Sequence, residues 1–189
     1  MKINMDTIIT DENPLLREKA KKVSLPLSTE DEKLIADMIQ YVRDSRNEEL
    51  AEKYNYQASV GLAAPQLGIL KRIFVVSVDD YDDDGNPINT TEYAFVNPLL
   101  KSYSQQLGAL EGGEGCLSVR NPHPGYVNRP YRIKINGYDA LTKQDVSIRV
   151  QGYLATVIQH ELDHLNGILF YDRINQEDPW FKDENIIYF

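Results

Sequence analysis

The sequence predicts an α+β fold: a single compact domain of mostly antiparallel strands packed around one central helix, with further helices near the N-terminus. Three observations predict it. Helical periodicity is confined to a few stretches, the clearest near residues 29–46 and 154–166. Between residues 72 and 150 the chain is instead a succession of short β-branched or aromatic runs separated by turn residues, which pair most simply as antiparallel neighbours. Finally, 189 residues with 42% hydrophobic content hold enough apolar material for one core, so the expected domain spans residues 1–189.

The elements follow in order. Asp11, Glu12, Asn13 and Pro14 offer cap and first-turn residues for a short helix through Lys22, which Pro26 closes off. Thr29 followed by Glu32 is a capping-box pattern, and Leu34, Ile35, Met38 and Val42 then recur on one side. This predicts a long amphipathic helix over 29–46, with a continuation to Tyr54 in reach. The segment 61–66 (Gly-Leu-Ala-Ala-Pro-Gln) lacks the lysine and glycine spacing of a phosphate loop and, read alone, is a packed turn. Strands are expected at 72–78, 92–96, 107–111, 132–138 and 146–150. Residues 154–166 form the central helix, with Gly167 as the residue just past its end, and 185–189 a last strand.

Composition narrows the function classes. A net charge of −9 disfavours binding to nucleic acid, and no specific nucleic-acid partner is expected. Apolar runs such as 73–78 are far shorter than the ~20 residues that cross a bilayer, so no membrane partner is expected. The first residues lack the apolar stretch of a secretion signal, and the lone Cys116 cannot form an intrachain disulfide; the expected location is the cytoplasm. Residues 80–85 match the first half of a calcium loop, but the twelfth position is Thr91, Glu92 comes one residue late and Pro87 interrupts. That stretch reads as a solvated acidic hairpin loop.

The chemistry concentrates in His160-Glu161-Leu162-Asp163-His164, the HExxH pattern of zinc proteases. On a helix, residues four apart share a face, so both imidazoles can reach one ion while Glu161, rotated by ~100°, stands beside it. Three histidines place a pair at this spacing with an intervening glutamate by chance only about 0.2% of the time. A helix apolar on most sides must also pair its polar groups, and a divalent ion serves two histidines and a glutamate together. Two histidines do not complete a shell. His123, between two prolines, and Cys116, a soft thiolate beside Gly115, are the candidates for a third ligand.

Three stretches, VGLAAPQ at 60–66, EGCLS at 114–118 and QHELDHLNG at 159–167, resemble in order and separation the three signature motifs of the bacterial peptide deformylases. The insertion around 79–91 is similar to the branch of that family common in low-GC Gram-positive bacteria, the type 2 branch. The chain departs from the motif at Ser59, where the family usually has glycine.

The resemblance implies a metal-dependent hydrolase that removes the formyl group from N-formylmethionyl peptides, releasing formate. Cys116, His160 and His164 would hold one divalent ion with a position left for water; Fe²⁺ is the implied physiological ion, with Zn²⁺, Ni²⁺ or Co²⁺ able to take its place. Glu161 would be the general base and acid, and Gln66 with the backbone N–H of Leu117 would stabilise the oxyanion. Val60, Gly61, Gly115, Tyr153 and Val157 would line the substrate pocket. A monomer working near the ribosome is implied. Asp163, a carboxylate within the metal helix, needs a cationic partner, and Arg129 is the expected one. Two other readings compete: a zinc endopeptidase whose third ligand is Glu177 or Glu184, and a non-catalytic, metal-stabilised binding module.

Overall fold

A computed structural model describes residues 2–82 and 84–189. Among these residues, eight strands form two sheets. The larger contains β1 (Gly61–Ala63), β2 (Ile73–Tyr81), β3 (Pro87–Tyr103), β6 (Arg132–Asp139) and β7 (Gln144–Gln151) in the order β1-β2-β3-β6-β7, every neighbour antiparallel. The smaller sheet pairs β4 (Leu107–Ala109) with β5 (Arg129–Pro130) antiparallel and with β8 (Ile186–Tyr188) parallel.

The run Ile73 to Val76 is apolar without alternation because β2 is covered on both faces. Ile73 and Val75 point with Ala94 and Val96 towards α1 (Thr29–Asp44), meeting Leu34, Ile35, Met38 and Val42. Phe74 and Val76 point the other way with Phe95, Ile133 and Ile135, meeting Ala155, Val157, Ile158, Leu162 and Leu165 of α3 (Gly152–Leu165). The α+β class and the helix-centred antiparallel arrangement are as the sequence predicts. α3 touches strands of both sheets, and ten of its fourteen residues are buried. It ends where Gly167 takes a left-handed φ of +73°, at a spot where a Cβ would collide with the carbonyl of Arg17.

Several element bounds differ from expectation, each for a local reason. The helix expected through Lys22 is a single 3₁₀ turn, Pro14–Arg17: the chain then runs extended, so that the Ala20 N–H reaches the Leu165 carbonyl and Lys21 bridges to Lys71. Ser28, not Thr29, caps α1, accepting from the Asp31 N–H at 3.1 Å. The long helix breaks after Asp44, and Asn47 caps a separate α2 (Glu48–Tyr54) by accepting from the Leu50 N–H. The third strand is far longer than 92–96, because residues from Pro87 onward pair with β2 in an extended hairpin and residues as far as Tyr103 pair with β6. Asp82 at its tip accepts from the N–H groups of Asp84 and Asn86, and Asp83 of the expected loop lies outside the described residues. Residues 61–63, expected as a turn, form edge strand β1.

Candidate metal centre

His160 and His164 stand one turn apart on α3, ring centroids 5.0 Å from one another. Cys116 comes from the long loop between β4 and β5, and its Sγ lies 3.3 Å from His164 Nε2. The three ligand atoms all fall within 4.8 Å of each other. His123 is elsewhere, stacked on Tyr171 at 4.2 Å, and the exposed Glu177 and Glu184 do not join the group.

A buried chain of charges positions this triad. His160 Nδ1 is 2.8 Å from a carboxylate oxygen of Glu114, so it serves as the donor and leaves Nε2 as the free ligand atom. Arg129 grips Glu114 through Nε at 2.6 Å and Nη2 at 2.9 Å, and its Nη1 donates to Asp163 at 2.8 Å. Arg173 binds the same Asp163 with two bonds of 2.6 Å. The Arg129 and Glu114 side chains are 2% and 3% exposed. Burial alone would raise the Glu114 carboxyl, but the Arg129 charge and the bonds from Arg129 and His160 hold it at about 2. Arg129 therefore joins the loop of Cys116 to the helix of the histidines.

The residues present fit a divalent ion. Burial disfavours a charged His160, yet the neighbouring Cys116 and Glu114 lift its pKa well above the ordinary value: its surroundings favour a positive charge, as an ion would bring. Burial and the neighbouring His160 keep His164 neutral, the form that ligates metal. Among the described residues, only Glu161 Oε2 and His164 Nδ1 are buried side-chain polar atoms without a hydrogen-bond partner, and both belong to this centre. A thiolate and two imidazoles suit Fe²⁺, Co²⁺, Ni²⁺ or Zn²⁺ rather than Ca²⁺ or Mg²⁺.

Beside the triad lies a cavity of about 350 Å³. Cys116, His160 and Glu161 line it together with Gln66, Leu117, Val60, Gly61, Gly115, Tyr153 and Val157, whereas His164, Arg129 and Asp163 sit behind its wall. Glu161 is buried, and desolvation pushes its carboxyl up to about 7, within reach of proton exchange near neutrality. A Cβ on Gly61 would lie 2.9 Å from Glu161 Cδ, so only glycine leaves the carboxyl room. Gln66 sits in a 3₁₀ turn, Ala64–Leu67; its Oε1 accepts from the Ala63 N–H at 2.9 Å, which turns its Nε2 towards Ser118 Oγ at 3.3 Å and Cys116 Sγ at 3.6 Å. Tyr153 is half exposed at the mouth.

Sequence reasoning did not single out Glu114 or Arg173. Glu114 had a usable signal: it stands two residues before Cys116, and a metal-binding histidine needs a partner for its second nitrogen. Arg173, in the 3₁₀ turn Phe170–Arg173, offers none beyond its charge.

Comparison with known proteins is consistent throughout the chain. The family model described as polypeptide deformylase matches residues 5–180. The peptide deformylase of Ligilactobacillus salivarius is 50% identical over 185 residues, covering 98% of each chain. Peptide deformylase 2 of Bacillus subtilis is 44% identical over 185 residues, covering 98% of this chain and 97% of that one. The Met-Ala-Ser-bound crystal structure of an Acinetobacter baumannii peptide deformylase superposes with a TM-score of 0.67 at 30% identity, covering 92% of this chain and all of that one. With the family model matching nearly the whole chain and relatives 44–50% identical over almost all of it, the chain belongs to the polypeptide deformylase family.

Proposed function

We propose that the cavity beside Cys116, His160 and His164 takes the N-terminal formylmethionine of a nascent peptide and that these three residues hold Fe²⁺ in the cytoplasm of the living cell. The family reaction is metal-dependent hydrolysis of the formamide bond. A divalent ion bound there supplies the Lewis acidity that makes hydroxide available near neutral pH. The observation that carries the reading is Glu161: a buried carboxyl with one unpartnered oxygen, one helical step from a ligand and open to the same cavity.

The residues of the chain divide the remaining work. Glu161 takes the proton of the attacking water and passes it to the amine nitrogen as the C–N bond breaks, so the products are formate and a free peptide N-terminus. Gln66 Nε2 and the N–H of Leu117 donate to the oxyanion, each such donor contributing about 2.7–4 kcal/mol to barrier lowering. The peptide runs antiparallel along the open edge of β1 at Gly61, near Val60, with Gly115 opposite, and backbone pairing of this kind accepts many sequences. Val60, Tyr153 and Val157 receive the methionine side chain. Arg129 and Asp163 act through Glu114 and α3 to keep the imidazoles in place. The enzyme works as a monomer close to the ribosome, where formylated chains emerge. The Met-Ala-Ser bound to the Acinetobacter relative has the form of a deformylated product, which supports this choice of substrate.

The test is direct. Protein prepared without oxygen and mixed with formyl-Met-Ala-Ser releases formate, loses that activity on chelation and regains it best with Fe²⁺. No formate under metal-loaded, reducing conditions overturns the reading.

A further inference from the structure

β1 is the end strand of its sheet, paired with β2 on one side only. In an antiparallel ladder, consecutive residues send their backbone groups to alternate sides. The Val60 carbonyl accepts from the Ser77 N–H at 2.9 Å, towards β2. The N–H and C=O of Gly61, next in line, therefore face the open edge, and Gly61 lies against Glu161 in the cavity wall. A peptide that adds to this edge has to bond to Gly61.

Both groups are already engaged. Ser59 Oγ donates to the Gly61 carbonyl at 2.6 Å and accepts from the Gly61 N–H at 3.3 Å. One hydroxyl thus does for Gly61 what a neighbouring strand does for any residue inside a sheet. We propose that the Ser59 hydroxyl is a latch on the peptide-pairing edge: it saturates Gly61 in the free enzyme, swings aside when the peptide pairs, and so tunes affinity for the peptide backbone. The proposal rests on the reading of β1 as the peptide-pairing strand.

The surroundings suit such a movement. The Ser59 backbone N–H is anchored to Ser45 Oγ at 3.1 Å, and Ser45, fully buried at the end of α1, donates to the Val42 carbonyl at 3.0 Å. The backbone at Ser59 is held, so release needs only rotation about Cα–Cβ. Ser59 is part-exposed and lines the cavity, so water solvates the released hydroxyl. Each bond a peptide makes to Gly61 then replaces one that existed before, which reduces the net gain. In the absence of peptide, the satisfied edge is a poor template for strands of other chains.

Steady-state kinetics of the metal-loaded enzyme on formyl-Met-Ala-Ser test the latch. Ser59→Ala and Ser59→Gly should lower KM about two- to ten-fold with kcat unchanged, the size set by one exchanged hydrogen bond and the pattern set by uniform binding. Ser59→Thr, which keeps the hydroxyl, should stay near wild type. Methylating the substrate amide nitrogen that pairs with Gly61 should raise KM and erase the difference between Ser59→Ala and wild type. If Ser59→Ala leaves KM unchanged or raises it while the methylated substrate binds worse, the peptide does pair with β1 and the latch is wrong. If methylation has no effect on the wild type, the pairing itself fails and the latch falls with it.

Discussion

α1 and α3 lie on opposite faces of the same sheet, and each buries an apolar stripe, but their polar residues are treated differently. On α1, Glu30, Glu32, Lys33 and Gln40 face water, and its Lys33–Asp37 pair is a surface contact four residues apart. On α3, Gln159, Glu161, Asp163 and His164 are buried. Gln159 donates to the carbonyls of Pro130 and Ala155, and Asp163 accepts from two arginines. Water satisfies most polar side chains of α1, its buried Asp31 with bonds from Lys71 and Ser28 being an exception, whereas the protein satisfies most of those on α3. The atoms of α3 that the protein leaves unsatisfied, on Glu161 and His164, are those at the proposed site of chemistry.

Substitutions on α3 should break this contrast, and those on α1 should leave it intact. The largest effect is expected at Glu161: Glu161→Gln keeps the shape and the metal but removes the proton acceptor, so kcat should fall about 10²–10⁴-fold while metal content, measured by elemental analysis, is retained. Next is Arg129→Ala, which strands the buried Glu114 and Asp163 carboxylates; a loss of about 3–5 kcal/mol in denaturant unfolding is expected, with weakened metal retention.

A pH series on metal-free protein gives the third. The folded Glu161 carboxyl titrates at about 7 against an ordinary 4.5, so the folded form keeps its proton longer. Its contribution is full below pH 4.5 and is lost as pH rises through 7, on the order of 3 kcal/mol, and Glu161→Gln should flatten that slope. Glu114, held at about 2, has the opposite sign: its contribution is present above pH 4.5 and is lost as pH falls towards 2. The smallest effect belongs to α1, where Lys33→Ala should leave the melting temperature unchanged by calorimetry.

The same contrast explains what was legible in the sequence. The apolar spacing of Leu34, Ile35, Met38 and Val42 and the histidine pair on α3 are local patterns, so both helices could be placed from sequence, as could β2 from its continuous apolar run. β1 could not: Gly61, Leu62 and Ala63 carry no β-branched signal, and they are a strand because β2 pairs with them. The stretch after Arg17 could not, because a contact with Leu165, far away in sequence, overrides its helical start. Of the 17 residues of β3 the sequence marks only 92–96, since the exposed ends of the strand are set by their partners, β2 before it and β6 after it. At the centre, residue type and spacing mark His160 and His164 and leave Cys116 and His123 as third-ligand candidates, between which only the family resemblance chooses Cys116. The partnership of Glu114, Arg129, Asp163 and Arg173 spans four separate segments, and only the pairing expected between Arg129 and Asp163 was put forward from the sequence.

Gly61 carries one more consequence. Because its backbone lies directly against the Glu161 carboxyl, a chain paired with β1 as proposed would be laid along a ruler whose zero mark is the proposed base. A slip of one residue would move every atom of the guest by about 3.3 Å and turn its side chains to the wrong face. On that proposed pairing, the group set at the mark would be the one at the free end of the chain, so such a ruler would favour trimming the first group over the rest of the polypeptide.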